Sequence, residues 1–321
     1  MLLTKWRVYQ LSASRSPWHS DTLFGCLCWA LVHLEGEDAL VKMLSACREG
    51  HPPFVVSDGF PAGFLPLPSG GEFSVTPEMS ANKKDRDSAM TALKPIKRLE
   101  YLPEAVFTRV LQGEIVRLDE KMETPARKKD MIVHNSVDRA TGSTLEQALY
   151  RSSYLWDGEL DVYTRIQDSW LPLVKRCFEL VGVRGYGGGA SRGLGAFTVE
   201  QIDLPSNLEA RTPNGFITLS RCTPTIDMPT RCQYRLDIKY GRLGQERASA
   251  KNPFKLPVAM LCPGAVFWGS PPVDGWCGEL VSGVSLAEEF QDVVQCGIAI
   301  TLPSNIRPPK FEDEYAGIAR G

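Results

Sequence analysis

The chain has 321 residues, 43% of them apolar and 23% charged, and a net charge of −2 at pH 7. That is the composition of a globular protein with room for about two domains, and its near-neutrality argues against holding nucleic acid by bulk charge alone. No apolar run reaches the length of about 18 residues that a membrane span needs. Lys5 and Arg7 fall where a signal peptide requires an apolar core, so no export is expected and the location is read as cytoplasmic.

In chain order, Thr4 to Leu11 alternates polar and apolar residues and reads as a first strand. After the polar turn Ser12 to His19, Ser20-Asp21-Thr22 supplies small oxygen-bearing side chains that suit a helix start. Leu23, Phe24, Leu27, Leu31 and Leu34 form the buried stripe of that helix, and Gly36 ends it. Glu37 to Arg48 reads as a second helix and Pro53 to Ser57 as a strand. Asp58 to Pro68 is too rich in proline for regular structure and is expected to lie extended over the surface. Asn82 to Glu100 carries six basic residues against three acidic. A short helix, Glu104 to Leu111, follows it.

Thr124 to Ser143 is a polar excursion with a basic start at Arg127-Lys128-Lys129, and such a segment inside a compact domain is usually functional or disordered. Strand alternation resumes at Leu160 to Ile166. Trp170, Leu171, Val174, Cys177, Phe178 and Val181 then recur at helical spacing within Asp168 to Val181, and Ala196 to Ile202 closes with another strand.

The order β-α-β, insertion, β-α-β is that of a ferredoxin-like α+β domain. From Phe216 onward the chain is strand-rich, with alternation at Tyr234 to Lys239, Ala265 to Gly269 and Gly297 to Leu302. It reads as a second, degenerate ferredoxin-like domain. The expected division is 1–205 and 206–321, with a linker near Pro205 to Gly215. The final residues from Pro308 onward read as frayed or partner-bound. Arg231 to Lys255 is a second basic stretch, with seven basic residues against two acidic. Local stripes of this kind on a near-neutral chain suit a subunit that meets nucleic acid on one face and proteins on others.

Between the last helix and strand of the first half lies a loop, Arg184 to Thr198, with six glycines. It runs from helix to strand. Dinucleotide-binding and Walker loops run from strand to helix, so neither chemistry fits. Such a loop is either a solvent-exposed hinge or a place where backbone approaches a ligand closely, with amides forming an anion-holding nest. Arg184, Ser191 and Arg192 would add cations and a hydroxyl to the second alternative. Nine scattered cysteines without a CxxC pair read as reduced core thiols, and no metal or other cofactor is expected.

The ordered set Ser20-Asp21-Thr22-Leu23-Phe24-Gly25, Ser57-Asp58-Gly59-Phe60-Pro61, Lys97 to Pro103, Asn135 to Gly142 and the glycine loop resembles the RAMP superfamily of CRISPR-associated proteins. Within it the combination is similar to the capping subunit, the fourth Csm protein of type III-A effector complexes. The markers span about residues 1 to 200. The resemblance implies a non-catalytic RNA-binding subunit for antiviral defence. Such a subunit holds the repeat-derived 5′ handle of the CRISPR RNA (crRNA) and joins the large palm-domain subunit to the first backbone RAMP subunit. It also wedges a protruding thumb into the guide–target RNA duplex. By position the thumb maps here onto about 120–150, centred on Thr124 to Ser143.

On that reading Lys83, Lys84, Arg127, Lys128, Lys129 and Arg192 would neutralise phosphates. His19 and Ser20 would sit at the handle, Gly187, Gly188, Gly189 and Ser191 would approach the RNA backbone, and Met131, His134, Asn135 and Arg139 would act from the thumb. Asp138 and Arg139 would organise the thumb turn. Thr124 to Ser143 lacks a Phe, Tyr or Trp side chain, so intercalation would fall to Met131 or Ile132. Trp18 is read as core in preference to a stacking platform.

The alternative is a metal-independent endoribonuclease that processes precursor CRISPR RNA. Of the four histidines, His33 reads as structural and His51 lies in a proline turn, which leaves His19 as acid or base with His134 as a possible second.

Overall fold

The computed structural model describes residues 1–70, 99–116 and 123–308. Strand β1 (Leu2–Gln10) leads through a turn to α1 (Ser20–Glu35), α2 (Glu37–Arg48) and β2 (Phe54–Pro61). The short pair β3 (Phe64–Pro66) and β4 (Tyr101–Pro103) is followed by α3 (Glu104–Leu111). A long hairpin, β5 (Lys128–Val137) and β6 (Thr144–Trp156), precedes β7 (Glu159–Ile166), α4 (Leu171–Arg184) and β8 (Phe197–Ile202). The first half is thus β-α-β, an excursion, then β-α-β. Its four strands lie in the order β2-β7-β1-β8, and all three pairings are antiparallel.

Alternation along β1 explains the two faces of this sheet. Trp6 and Val8 are buried on the side of the helices, where Trp6 stacks on Phe178 of α4 with centroids 5.4 Å apart. Lys5 and Arg7 point to the other side, where Lys5 is buried against Asp161 and Glu104. A side chain changes face at every residue of a strand, so one strand serves an apolar layer and an ionic layer together.

The second half contributes β9 (Gly215–Thr218), β10 (Cys232–Gln233), β11 (Leu236–Lys239), β12 (Val258–Leu261), β13 (Val266–Trp268), β14 (Trp276–Cys277), β15 (Leu280–Val281), β16 (Gln295–Cys296) and β17 (Ala299–Ser304). Five of these form a sheet in the order β10-β13-β9-β17-β14. One buried apolar cluster takes in Trp6 and Phe178 from the first half together with Ile217, Leu219, Val266 and Ile300 from the second. The stretch expected to be a linker is packed as well: Leu208 and Ala210 are buried, and the Ala210 amide donates to the Pro303 carbonyl at 3.0 Å.

Two expectations need correction, and a third gains its bounds. Asp58 to Pro68 is not devoid of regular structure: β2 continues to Pro61, and Phe64 to Pro66 is a strand. Proline is tolerated because β2 is an edge strand and β3 belongs to a two-stranded pair, so the missing N–H faces no ladder partner. Helix α1 begins at Ser20 without a side-chain cap from its own start; the Ser20 amide donates to Asp58 Oδ1 on β2 at 2.9 Å. The polar excursion is an ordered hairpin that runs on to Trp156.

A candidate RNA interface at one end of the first sheet

The turn between β1 and α1 is a hub. Ser14 forms an antiparallel bridge with Leu155 at the root of the hairpin. Ser16 Oγ accepts the Gly188 amide at 3.0 Å, and the Ala13 carbonyl accepts the Gly195 amide at 2.9 Å. Tyr186 donates from its hydroxyl to the Pro17 carbonyl at 2.6 Å and accepts the His19 amide at 3.1 Å. Trp18 lies flat on the Tyr186 ring, centroids 4.1 Å apart and planes 7° from parallel, and is 2% exposed. Trp18 is therefore core. One short turn thus gathers the hairpin root, the glycine loop and the start of α1.

Most of the loop's glycines serve its own geometry. Gly195 has φ 72°, and a Cβ there would lie 2.2 Å from the Tyr186 carbonyl oxygen, so no other residue fits. Gly188 differs. Its φ is not in the left-handed region, and an added Cβ would meet nothing nearer than Ser16 Oγ at 3.5 Å. Gly188, Ser191 and Arg192 are exposed, while Gly187 and Gly189 are half-buried. The loop is thus a folded scaffold that leaves a short rim facing solvent.

His19 sits at the centre of a polar network that joins the two halves. Arg221 Nη2 approaches its Nε2 at 2.9 Å and Lys239 Nζ approaches Nδ1 at 3.3 Å. A neutral imidazole accepts at only one nitrogen. The shorter contact makes Nε2 the acceptor and leaves Nδ1–H facing an ammonium. Burial and the Arg221, Lys239 and Arg127 cations push the His19 pKa down from 6.5 to about 2.

The cations themselves are balanced. Arg221 bonds Asp237 at 2.6 Å and lies 3.7 Å from Asp58, and Lys239 bonds Asp21 at 3.0 Å and Thr22 at 3.0 Å. Ser20 is 2% exposed, with its hydroxyl accepting the Arg221 amide at 2.9 Å. It is committed to this interior network and presents no surface for RNA.

A stability prediction follows from the His19 shift. The unfolded chain protonates this imidazole near pH 6.5 and the folded chain does not until about 2, so between those values folding releases a proton. His19 therefore adds stability that is complete above pH 6.5 and is lost as the pH falls, by about 1.4 kcal/mol per unit. Urea unfolding at pH 7 and pH 5 is expected to differ by about 2 kcal/mol from this group alone. In His19→Gln that difference should shrink by the same amount. Burial raises the Asp58 pKa, which acts with the opposite sign but is common to both proteins, so the comparison with His19→Gln isolates the imidazole. An unchanged pH dependence in His19→Gln would count against a buried neutral His19.

The hairpin projects from this hub. Its root is tied by an Arg127–Asp157 ion pair, by Arg127 over the Tyr101 ring at 5.8 Å, and by Gln10 Oε1 accepting the Asp157 and Gly158 amides at 2.7 and 3.1 Å. At the tip Asp138 Oδ1 accepts the Ala140 amide at 2.8 Å and the Asp138 carbonyl accepts the Gly142 amide, so Asp138 does organise the turn. Lys128, Lys129, Met131, Asn135 and Arg139 are exposed along it. His134 stacks on Tyr150 with centroids 5.1 Å apart and contacts the Tyr154 hydroxyl at 3.1 Å. The aromatic surface missing from Thr124 to Ser143 is supplied by the returning strand through Tyr150 and Tyr154, residues that lie past that segment. Lys83 and Lys84 lie outside the described residues.

The structure thus brings His19, Arg127, Lys128, Lys129, Gly187 to Gly189, Ser191 and Arg192 to one end of the first sheet, with Met131, His134, Asn135 and Arg139 strung along the hairpin. Sequence reasoning missed Arg221 and Lys239, whose partners at the start of α1 lie about 200 positions away. Among the described residues no group of three or more His, Cys, Asp or Glu is placed to hold a metal ion, and no helix is long and apolar enough to cross a membrane.

No family model matches the sequence, and no curated protein matches it. The fold has clear relatives. A chain in the crystal structure of the Csm1–Csm4 cassette in complex with AMPPNP superposes with a TM-score of 0.59 at 18% identity, covering 95% of this chain and 99% of that one. A chain in the crystal structure of the Csm3–Csm4 subcomplex of the type III-A CRISPR-Cas interference complex gives 0.60 at 15% identity, covering 94% and 99%. Csm4 is the subunit common to both. The chain shares the fold of these two chains, a mixed α/β architecture of antiparallel sheets with few helices.

Proposed function

We propose that this protein is the non-catalytic capping subunit of a type III-A CRISPR effector complex. It binds the repeat-derived 5′ handle of the crRNA and anchors the large palm-domain subunit to the first backbone RAMP subunit. The first half, 1–205, is read as its ferredoxin-like RAMP domain, the β5–β6 hairpin as the thumb beside the guide–target duplex, and 206–321 as the degenerate second domain. The observation that carries this reading is the convergence on the turn between β1 and α1. The rim of the glycine loop, the cations Lys128 and Lys129, and an exposed hairpin all meet there. Single-stranded RNA is recognised by such combinations of backbone amides, cations and side chains that stack on splayed bases. Exposed Lys128, Lys129 and Arg192 would neutralise handle phosphates, and His134 on Tyr150 would offer a stacked surface to bases.

The endoribonuclease alternative loses its best acid. With a pKa of about 2, His19 has no proton to give near neutrality, and both its neighbours are cations.

The test is to purify the chain from cells that carry its neighbouring genes, then to size and sequence the extracted nucleic acid. Short RNAs sharing one 5′ end, arriving with a palm-domain protein, are expected. Protein that emerges alone and cuts repeat RNA in the presence of chelator would overturn the reading. Two glycine variants sharpen it. Gly188→Val is expected to keep its unfolding midpoint while losing RNA, because the site has room for a Cβ but the rim no longer admits a ligand's backbone. Gly195→Val should fail to fold, because the new Cβ would clash with the Tyr186 carbonyl. Aggregation of Gly188→Val would make the loop purely structural.

A further inference from the structure

Strand β11 is inverted. Its charged residues lie on the face turned towards the first half, where half-exposed Asp237 pairs with Arg221 and Lys239 with Asp21, while its apolar residues point to solvent. Tyr234, Leu236, Ile238 and Tyr240 occupy alternate positions and are 50, 58, 51 and 73% exposed. The partner strand extends the patch. Ala259, opposite Ile238, is exposed, and beyond β12 the Arg242–Phe254 bridge brings Phe254 beside the same ribbon, 61% exposed under the Arg242 guanidinium at 5.7 Å. A two-stranded ribbon with a continuous apolar face is seldom left uncovered in a soluble protein.

We infer that the outer face of this ribbon, Tyr234 to Tyr240 with Phe254, is a protein-docking surface for an apolar patch bordered by carboxylates on another subunit. The inference rests on the proposed function, in which the chain works inside a multi-protein complex. Two observations choose the occupant. First, the patch carries an unneutralised cation of its own: Arg242 is exposed over Phe254 and makes no ion pair among the described residues, whereas Asp237, on the other face, is already committed to Arg221. A second copy of this chain would set arginine against arginine, and like-charge borders disfavour association. Second, the centre of the patch is aliphatic. Leu236 and Ile238 separate Tyr234 from Tyr240 by about 20 Å of strand. Stacking bases need adjacent aromatic faces, whereas tyrosine, arginine and buried aliphatic side chains together form the core of protein interfaces.

The test compares the wild-type chain with Leu236→Asp/Ile238→Asp and, separately, Tyr240→Glu, each co-produced at full length with the proteins encoded beside it. All three side chains are exposed, so the unfolding midpoints should match wild type. Each variant is expected to recover about tenfold less of one protein partner, because a carboxylate pressed into an apolar interface is left unpaired. Hydroxyl-radical footprinting should find Tyr234 and Tyr240 reactive in the isolated chain and protected in the assembly.

If wild type and both variants carry the same partners in the same ratio, this surface is not the docking site and the proposed function stands. If wild type itself gathers no protein, both readings fall. Loss of crRNA with every protein retained would assign the patch to nucleic acid and overturn the inference. So would tyrosines that are protected in the isolated chain and become reactive only when the chain is truncated after Pro308, since its own C-terminal segment would then be the cover.

Discussion

Tyr186→Ala is expected to lower the free energy of unfolding by about 3–5 kcal/mol, the usual cost of deleting a buried aromatic ring. Tyr186 is fully buried, stacked on Trp18, and hydrogen-bonded through its hydroxyl to both Pro17 and His19. Ring removal would leave a cavity beneath Trp18. It would also remove the phenol that donates to the Pro17 carbonyl and accepts the His19 amide, leaving that turn with only the direct bond from the His19 amide to the Pro17 carbonyl at 2.8 Å.

Tyr186→Phe separates the two effects. It retains the stack and removes only the hydroxyl, so about 1–3 kcal/mol should be lost. Urea titration followed by far-ultraviolet circular dichroism measures both variants. An alanine variant within about 1 kcal/mol of wild type would mean that the turn is held elsewhere. A functional consequence follows from position. The turn that Tyr186 fixes also fixes Ser16 under Gly188 and Ser14 against Leu155. Loosening it should therefore misplace the loop rim relative to the hairpin root, and RNA retention in Tyr186→Phe is expected to fall even where the protein remains folded.

How legible these features were in the sequence depends on how local their causes are. Helix α3 runs from Glu104 to Leu111 as its spacing and the preceding Pro103 indicate, because both signals lie within the segment. The helical spacing through Val174, Cys177, Phe178 and Val181 likewise marks the buried face of α4, although the first turn from Asp168 is 3₁₀. Trp18 as core was legible too.

The cap of α1 was not. Ser20 and Asp21 look like capping residues, yet the acceptor for the Ser20 amide is Asp58, brought from β2 by the sheet. The two-residue strands β10, β14, β15 and β16 have no periodicity to detect and exist only through pairing with distant segments. In β11 the alternation was visible but its polarity was ambiguous. Period two says that alternate residues share a face, and only the ion pairs of Asp237 and Lys239 with Arg221 and Asp21 reveal which face the apolar residues take. The aromatic side of the hairpin escaped for a related reason: Tyr150 faces His134 only once the register of the two strands is known.

The ionic layer beneath the first sheet carries the second large effect. Asp161 is fully buried and receives Lys5 at 3.0 Å, Arg7 Nη2 at 3.2 Å and the Gly63 amide at 2.8 Å. Lys5 is itself 3% exposed and also contacts Glu104, which accepts the Tyr163 hydroxyl at 2.8 Å. Removing one partner from a buried pair leaves an uncompensated charge, which costs more than the pair contributed when intact. Asp161→Ala is therefore expected to destabilise by about 3–5 kcal/mol. Lys5→Met added to Asp161→Ala should recover part of that loss, because the stranded ammonium is gone and a chain of similar volume remains. The double-mutant cycle in urea reads this coupling directly. If the two substitutions simply added, Lys5 would have to be reaching water or Glu104 well enough on its own, and the layer would be a set of independent contacts. Recovery in the double variant would instead identify Asp161 as the anion around which β1, β7 and the turn at Gly63 are assembled, at the same end of the sheet from which the hairpin of the candidate RNA interface projects.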